Sequence, residues 1–143
     1  MPAPNTTQLP AHPSTKRVLV LSYSQTGQLT AIAQRIIEPL QQDAGIDVHV
    51  EPLRPVKPYP FPWRFLDFLD AFPESAHMIA PPLQPLSLNG DEDFDLVILP
   101  YQVWFLAPSL PITAFLTSPV ALRLLAAVTD ATVGGEASAT KLA

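Results

Sequence analysis

Apolar positions fall into two unbroken runs and several periodic ones. Val18-Leu19-Val20-Leu21 has no polar interruption, as expected of a strand covered on both faces, so a first strand is predicted from Lys16 to Leu21. The next six residues, Ser22-Tyr23-Ser24-Gln25-Thr26-Gly27, are mostly polar. Behind them Leu29, Ile32, Ala33, Ile36 and Leu40 recur at helical spacing, and Pro39 is expected to end that helix near Leu40. Ile46, Val48 and Val50 alternate with Asp47, His49 and Glu51, the period of an edge strand with one wetter face.

Residues 52–62 hold Pro52, Pro55, Pro58, Pro60 and Pro62 and read as an extended, polyproline-like passage. Trp63, Phe65, Leu66, Phe68, Leu69 and Phe72 then form a short aromatic helix, with Pro62 at its first turn and Pro73 as its stop. Residues 73–93 are predicted as loop. Leu96-Val97-Ile98-Leu99 is the second unbroken apolar run, closed by Pro100, and a helix carrying Ile112, Phe115 and Leu116 opens near Pro111. Residues 1–15 read as a flexible N-terminal arm, 16–125 as the folded region, and 126–143 as a disordered low-complexity tail.

Strands alternating with helices predict an α/β fold with a parallel, doubly wound sheet. In the order 2-1-3-4-5 the winding reverses between strands one and three, and ligands sit beyond the carboxyl ends of the strands at that reversal. The loops at residues 22–29 and 100–109 should therefore share one crevice.

Composition narrows the chemistry. Eight basic and thirteen acidic residues give a net charge of −5, with no basic cluster to track phosphates, so nucleic-acid binding is disfavoured. There is no cysteine, which excludes thiol catalysis and thiolate metal sites. His12, His49 and His77 lack ligand spacing and are expected to be surface or structural residues. Neither a signal peptide nor a membrane-spanning run stands out, and a soluble, cytoplasmic protein is expected. Asp67, Asp70, Glu74 and Asp91-Glu92-Asp93 are assigned no catalytic role, because nothing fixes their separation.

The first loop offers hydroxyls, a glycine for close backbone approach and a helix N-terminus, the ingredients of a phosphate site. It has neither the lysine of a P-loop nor the three glycines of a dinucleotide fingerprint, and an anion there would be held by neutral donors. The second loop offers Tyr101, Trp104 and Phe105, for which core packing and stacking on a planar ring both stand. Phosphate at one loop and a ring at the other suggest a mononucleotide.

Ser24-Gln25-Thr26-Gly27-Gln28 after an apolar strand resembles the phosphate loop of flavodoxin-like FMN proteins, and Pro100-Tyr101-Gln102-Val103-Trp104 with Pro108-Ser109 resembles their second flavin loop. More narrowly, LRPVKPYPFPWRFLDFLDAFPE and YQVWFLAPSLPITAFL resemble bacterial proteins labelled dialkylresorcinol condensing enzymes, flavodoxin-like members of the NAD(P)H-dependent oxidoreductases. The resemblance covers residues 16–125. It implies FMN as cofactor, NAD(P)H as co-substrate, and transfer of hydride to a quinone-like or aromatic small-molecule acceptor. It implies Ser24, Gln25, Thr26, Gly27 and Gln28 at the phosphate, with Tyr101, Gln102, Val103 and Trp104 along the flavin.

The chain departs from the family pattern in three places. Leu29 replaces the loop's last threonine, with Thr30 one place later, and Gln102-Val103 lengthen the second loop. Strands four and five are missing after Ala126, so a C-terminally truncated or frame-altered product with an open edge at strand three is expected. Condensation of acyl thioesters ordinarily uses a nucleophile such as cysteine, so a redox step in dialkylresorcinol-type biosynthesis fits these residues better. The competing reading is a non-catalytic phosphate-ester binding or assembly module, or an inactive fragment. The aromatic helix is read as core or dimer surface, which puts a homodimer among the expected partners.

Overall fold

The computed structural model describes residues 15–59, 62 and 64–133; nearly all of the expected N-terminal arm, the last part of the tail, Pro60 and Trp63 lie outside them. The elements are β1 (Lys16–Ser22), α1 (Gln28–Gln41), β2 (Ile46–Pro52), α2 (Phe65–Ala76), β3 (Leu96–Ile98), β4 (Val103–Trp104), β5 (Ala107–Pro108), α3 (Leu110–Leu116) and α4 (Pro119–Val133).

The chain is mixed α/β, and its sheet has the order β2-β1-β3 with both pairings parallel. β1 is central and buried from Val18 to Leu21, which is why its sequence has no polar alternation. Its side chains divide between two cores. Val18 and Val20 meet Ile37 of α1, while Leu19 and Leu21 meet Leu53, Leu88, Phe94, Ile112, Phe115, Ala121 and Leu124. Helices thus cover both faces of the sheet, α1 on one and α3 with α4 on the other. Each fully buried Leu or Ile here contributes roughly 1.5–3 kcal/mol over its exposed state. β2 lies at one edge, as its alternation predicts. At the opposite edge β3 pairs only with β1 among the described residues, and Leu96 is half exposed.

Pro73 proved a weaker terminator than expected, whereas α1 ends one residue beyond the expected Leu40. α1 continues past Pro39 to Gln41, and α2 continues past Pro73 to Ala76, where the Pro73 carbonyl accepts a hydrogen bond from the His77 N–H (3.0 Å). A proline forfeits its own donor but keeps its carbonyl, so a helix resumes beyond it near either end. The tail boundary at 126 also shifts. α4 runs through it to Val133, because Val120, Ala121, Leu124 and Val128 make one stripe against the core and alanines favour the helix between them.

The 73–93 passage does more than connect. Leu88 is buried, and residues 82–84 lie antiparallel to residues 54–56 through a Pro55–Leu83 bridge. That strap is held by Val56 N–H to Pro82 O (3.0 Å) and Gln84 N–H to Arg54 O (2.7 Å). The expected irregular loop at 100–109 is instead the β4–β5 hairpin. Its turn residues, Phe105 and Leu106, have φ of 49° and 68°, and Leu106 is fully exposed.

No single helix among the described residues is long and apolar enough to cross a membrane. α3 and α4 together reach that length only with a 68° bend, and α3 is buried from Leu110 to Phe115 against the sheet.

Candidate functional site

The site starts where β1 ends. Beyond Ser22 the chain must reverse into α1, and Gly27 does so with φ 82°, a conformation that only glycine adopts freely. The loop's hydroxyls stabilise the turn from inside: Ser24 Oγ accepts from Gly27 N–H (3.0 Å), and Thr26 Oγ1 accepts from Gln28 N–H (3.4 Å). Both hydroxyl protons remain available to a ligand. Ala31 N–H closes the first helical bond on Gly27 O, so the N–H groups of Leu29 and Thr30 have no acceptor within the helix. No acidic side chain sits in that first turn to oppose an anion.

Beside this loop lies a cavity of about 480 Å³. Ser24, Gln25 and Thr30 line one side; Arg54, Pro55, Pro58 and Tyr59 from the passage after β2 line the other, and Gln84 of the strap reaches its rim. The cavity therefore opens toward β2, not toward the β4–β5 hairpin. Ser24 and Gln25 face it as the sequence implies, whereas Thr26, Gly27 and Gln28 build the turn without lining it. Thr30, displaced by one place from the family pattern, does line the wall. The anion would not be left to neutral donors, since Arg54 brings a positive charge.

The second loop does lie next to the first. The Trp104 ring stands 6.0 Å from Tyr23 and 5.1 Å from Tyr59, both near perpendicular. Trp104 is 9 % exposed and forms the wedge behind these tyrosines, so it has no open face for another ring. Tyr101 and Val103 are exposed, and none of residues 101–104 lines the cavity. Gln102 Oε1 is buried with no hydrogen-bond partner among the described residues, and so is Oγ of Ser109, the N-cap residue of α3. Such orphaned atoms are what a polar ring edge would satisfy. The first loop thus offers hydroxyl donors at the cavity, whereas the unpaired Gln102 acceptor of the second does not line it. Burial, with Tyr59 as a secondary cause, pushes the Tyr23 phenol up to about 12, so it stays a neutral donor at neutral pH.

A second polar cluster flanks the cavity on the β2 side. Glu51, buried at the end of β2, accepts the Ser87 N–H (3.0 Å) and the Ser87 hydroxyl, and His49 Nε2 lies 3.2 Å away. Burial alone would raise the Glu51 carboxyl, but these Ser87 and His49 hydrogen bonds outweigh it and hold it below the usual carboxylate range. His49 thus has the structural role expected of it. Glu92 likewise serves its loop, accepting the N–H groups of Asn89 and Gly90 (both 2.9 Å). No group of three or more potential metal ligands occurs among the described residues.

Arg54 and Tyr59 lie within the run from Leu53 that carries the family resemblance but are assigned no site role by it, and they and Gln84 are missed by a reading of the first and second loops alone. A signal was present: Arg54 stands two residues beyond β2, at the same carboxyl edge of the sheet as Ser24. No family model matches the chain, and no curated protein or solved structure matches it either.

Proposed function

We propose that the chain is an FMN-binding, flavodoxin-like oxidoreductase domain that passes hydride from NAD(P)H to a quinone-like or aromatic acceptor. The observation that carries this reading is the adjacency of the two loops at the carboxyl ends of neighbouring parallel strands, measured by the 6.0 Å Tyr23–Trp104 contact. Bound FMN would supply the redox chemistry. The hydroxyls of Ser24 and Thr30, which line the cavity, would hold its phosphate, with Thr26, Gly27 and Gln28 shaping the turn around it, and exposed Tyr101 of the second loop would stand toward the ring. A role in dialkylresorcinol-type biosynthesis rests on the sequence resemblance alone.

Titration of the protein into FMN, followed by flavin fluorescence, tests the reading. Saturable quenching is expected, weakened about tenfold by Ser24→Ala through loss of one charge-assisted hydrogen bond; absence of quenching ends it. The closed packing of Trp104 favours a second reading, a non-catalytic phosphate-ester binding module. FMN binding with no NAD(P)H oxidation under any acceptor selects that one.

The homodimer would form through α2, whose Phe65, Leu66, Leu69 and Phe72 are about half exposed or more. Sedimentation velocity across a concentration series should show self-association that Leu66→Glu reduces.

A further inference from the structure

The β2 side of the 480 Å³ cavity has a chemistry of its own, and it can be argued without the flavin. Its walls are apolar and stiff: Pro52, Leu53, Pro55 and Pro58, joined by the rings of Tyr23 and Tyr59. Trp104 packs behind both tyrosines and fixes them. A slot preformed by prolines and wedged rings suits a flat ligand, which then loses little freedom in the protein on binding.

Among the described residues, Arg54 supplies the one charged group on that wall. Lys16 pairs with Asp95 (2.9 Å), Arg17 with Asp47 (3.7 Å) and Arg123 with Asp91 (3.8 Å). Arg54 has no such partner among the described residues, and its side chain donates no hydrogen bond there. Glu51, the acid nearest in sequence, is engaged by Ser87 and His49. The Arg54 backbone is nonetheless held, because its carbonyl accepts the Gln84 N–H of the strap at 2.7 Å. An exposed guanidinium without a counter-ion among the described residues, on a wall of prolines and tyrosine rings, matches a carboxylate attached directly to a ring, which it can grip with two parallel hydrogen bonds.

We propose that this side of the cavity binds a small aromatic carboxylate, with Arg54 as its counter-ion and Tyr59 against its ring. Saturation-transfer NMR with benzoate, benzamide, acetate and inorganic phosphate separates the contributions of ring and charge. Benzoate is expected to bind about tenfold or more tighter than benzamide, through the charge-assisted pair, and tighter than acetate, through the ring. Arg54→Gln should abolish the advantage over benzamide, Arg54→Lys should keep part of it, and Tyr59→Ala should weaken benzoate and benzamide alike. Arg54 is exposed and its side chain makes no contact that the fold needs, so the circular dichroism of the two Arg54 variants should be unchanged. Equal binding of benzamide and benzoate, indifference to Arg54→Gln, or phosphate binding as tightly as benzoate would each overturn the proposal. Benzoate binding in a chain that fails to quench FMN would keep this inference while ending the flavin reading.

Discussion

Two glycines show how differently the same residue type can be required. A Cβ on Gly27 would meet nothing within 4 Å, so Gly27→Ala costs only the left-handed backbone, about 1–2 kcal/mol. A Cβ on Gly90, at φ 98°, would stand 2.7 Å from Arg123 Nε and displace the guanidinium from the Asn89 carbonyl and Asp91. Gly90→Ala is therefore expected to destabilise more than Gly27→Ala, and urea midpoints of the two variants check the order. Glu51 adds a pH dependence. Its folded pKa is depressed, so its contribution to stability is fully present above the ordinary value of 4.5 and is lost as the pH falls from there through the lowered value. Urea unfolding between pH 6 and 3 should show that loss, and Glu51→Gln should flatten it.

At the scale of elements, α3 combines shortness with complete burial: seven residues, six of them buried, between the sheet and α4. Its anchors are Ile112 and Phe115. Ile112→Ala should cost about 2–5 kcal/mol and Phe115→Ala about 3–5 kcal/mol, measurable by chemical denaturation, because the sheet above them cannot collapse into the gap. Most elements were legible from periodicity. β1 announces itself by an unbroken apolar run and β2 by alternation, since one is buried on two faces and the other on one. The helix ends at Pro73 and Ala126 were not legible, because tertiary packing there outweighs the local signals, whereas α1 ends within a residue of the expected Leu40. Val128 continues the α4 stripe four residues after Leu124, so a helical period crossed the very point at which small residues suggested a tail.

For the molecule as a whole, strand order was readable because parallel crossovers leave few options, and β2-β1-β3 follows from them. That order also made the meeting of loops 22–29 and 100–109 legible, though not the contact of Tyr23 with Trp104 through which they meet. The cavity's second wall was not legible. Arg54 and Tyr59 reach it only because residues 82–84 pair with 54–56, an association some 28 residues distant in the chain that no local pattern encodes. The orphaned Gln102 Oε1 was hidden for the same reason, since burial of a loop amide depends on the hairpin around it.

The hairpin tip ties a distant element into the molecule. Phe105 strains its backbone to present a ring whose centroid lies 5.0 Å from that of Phe72 on α2, while Leu106 carries the same strain and is fully exposed. Glycine at either position would relax the turn, yet only at 105 would it also unmoor the helix. Limited chymotryptic digestion should accordingly cut within 65–76 sooner in Phe105→Gly than in Leu106→Gly, making protease susceptibility of one segment a gauge of a single side chain on another.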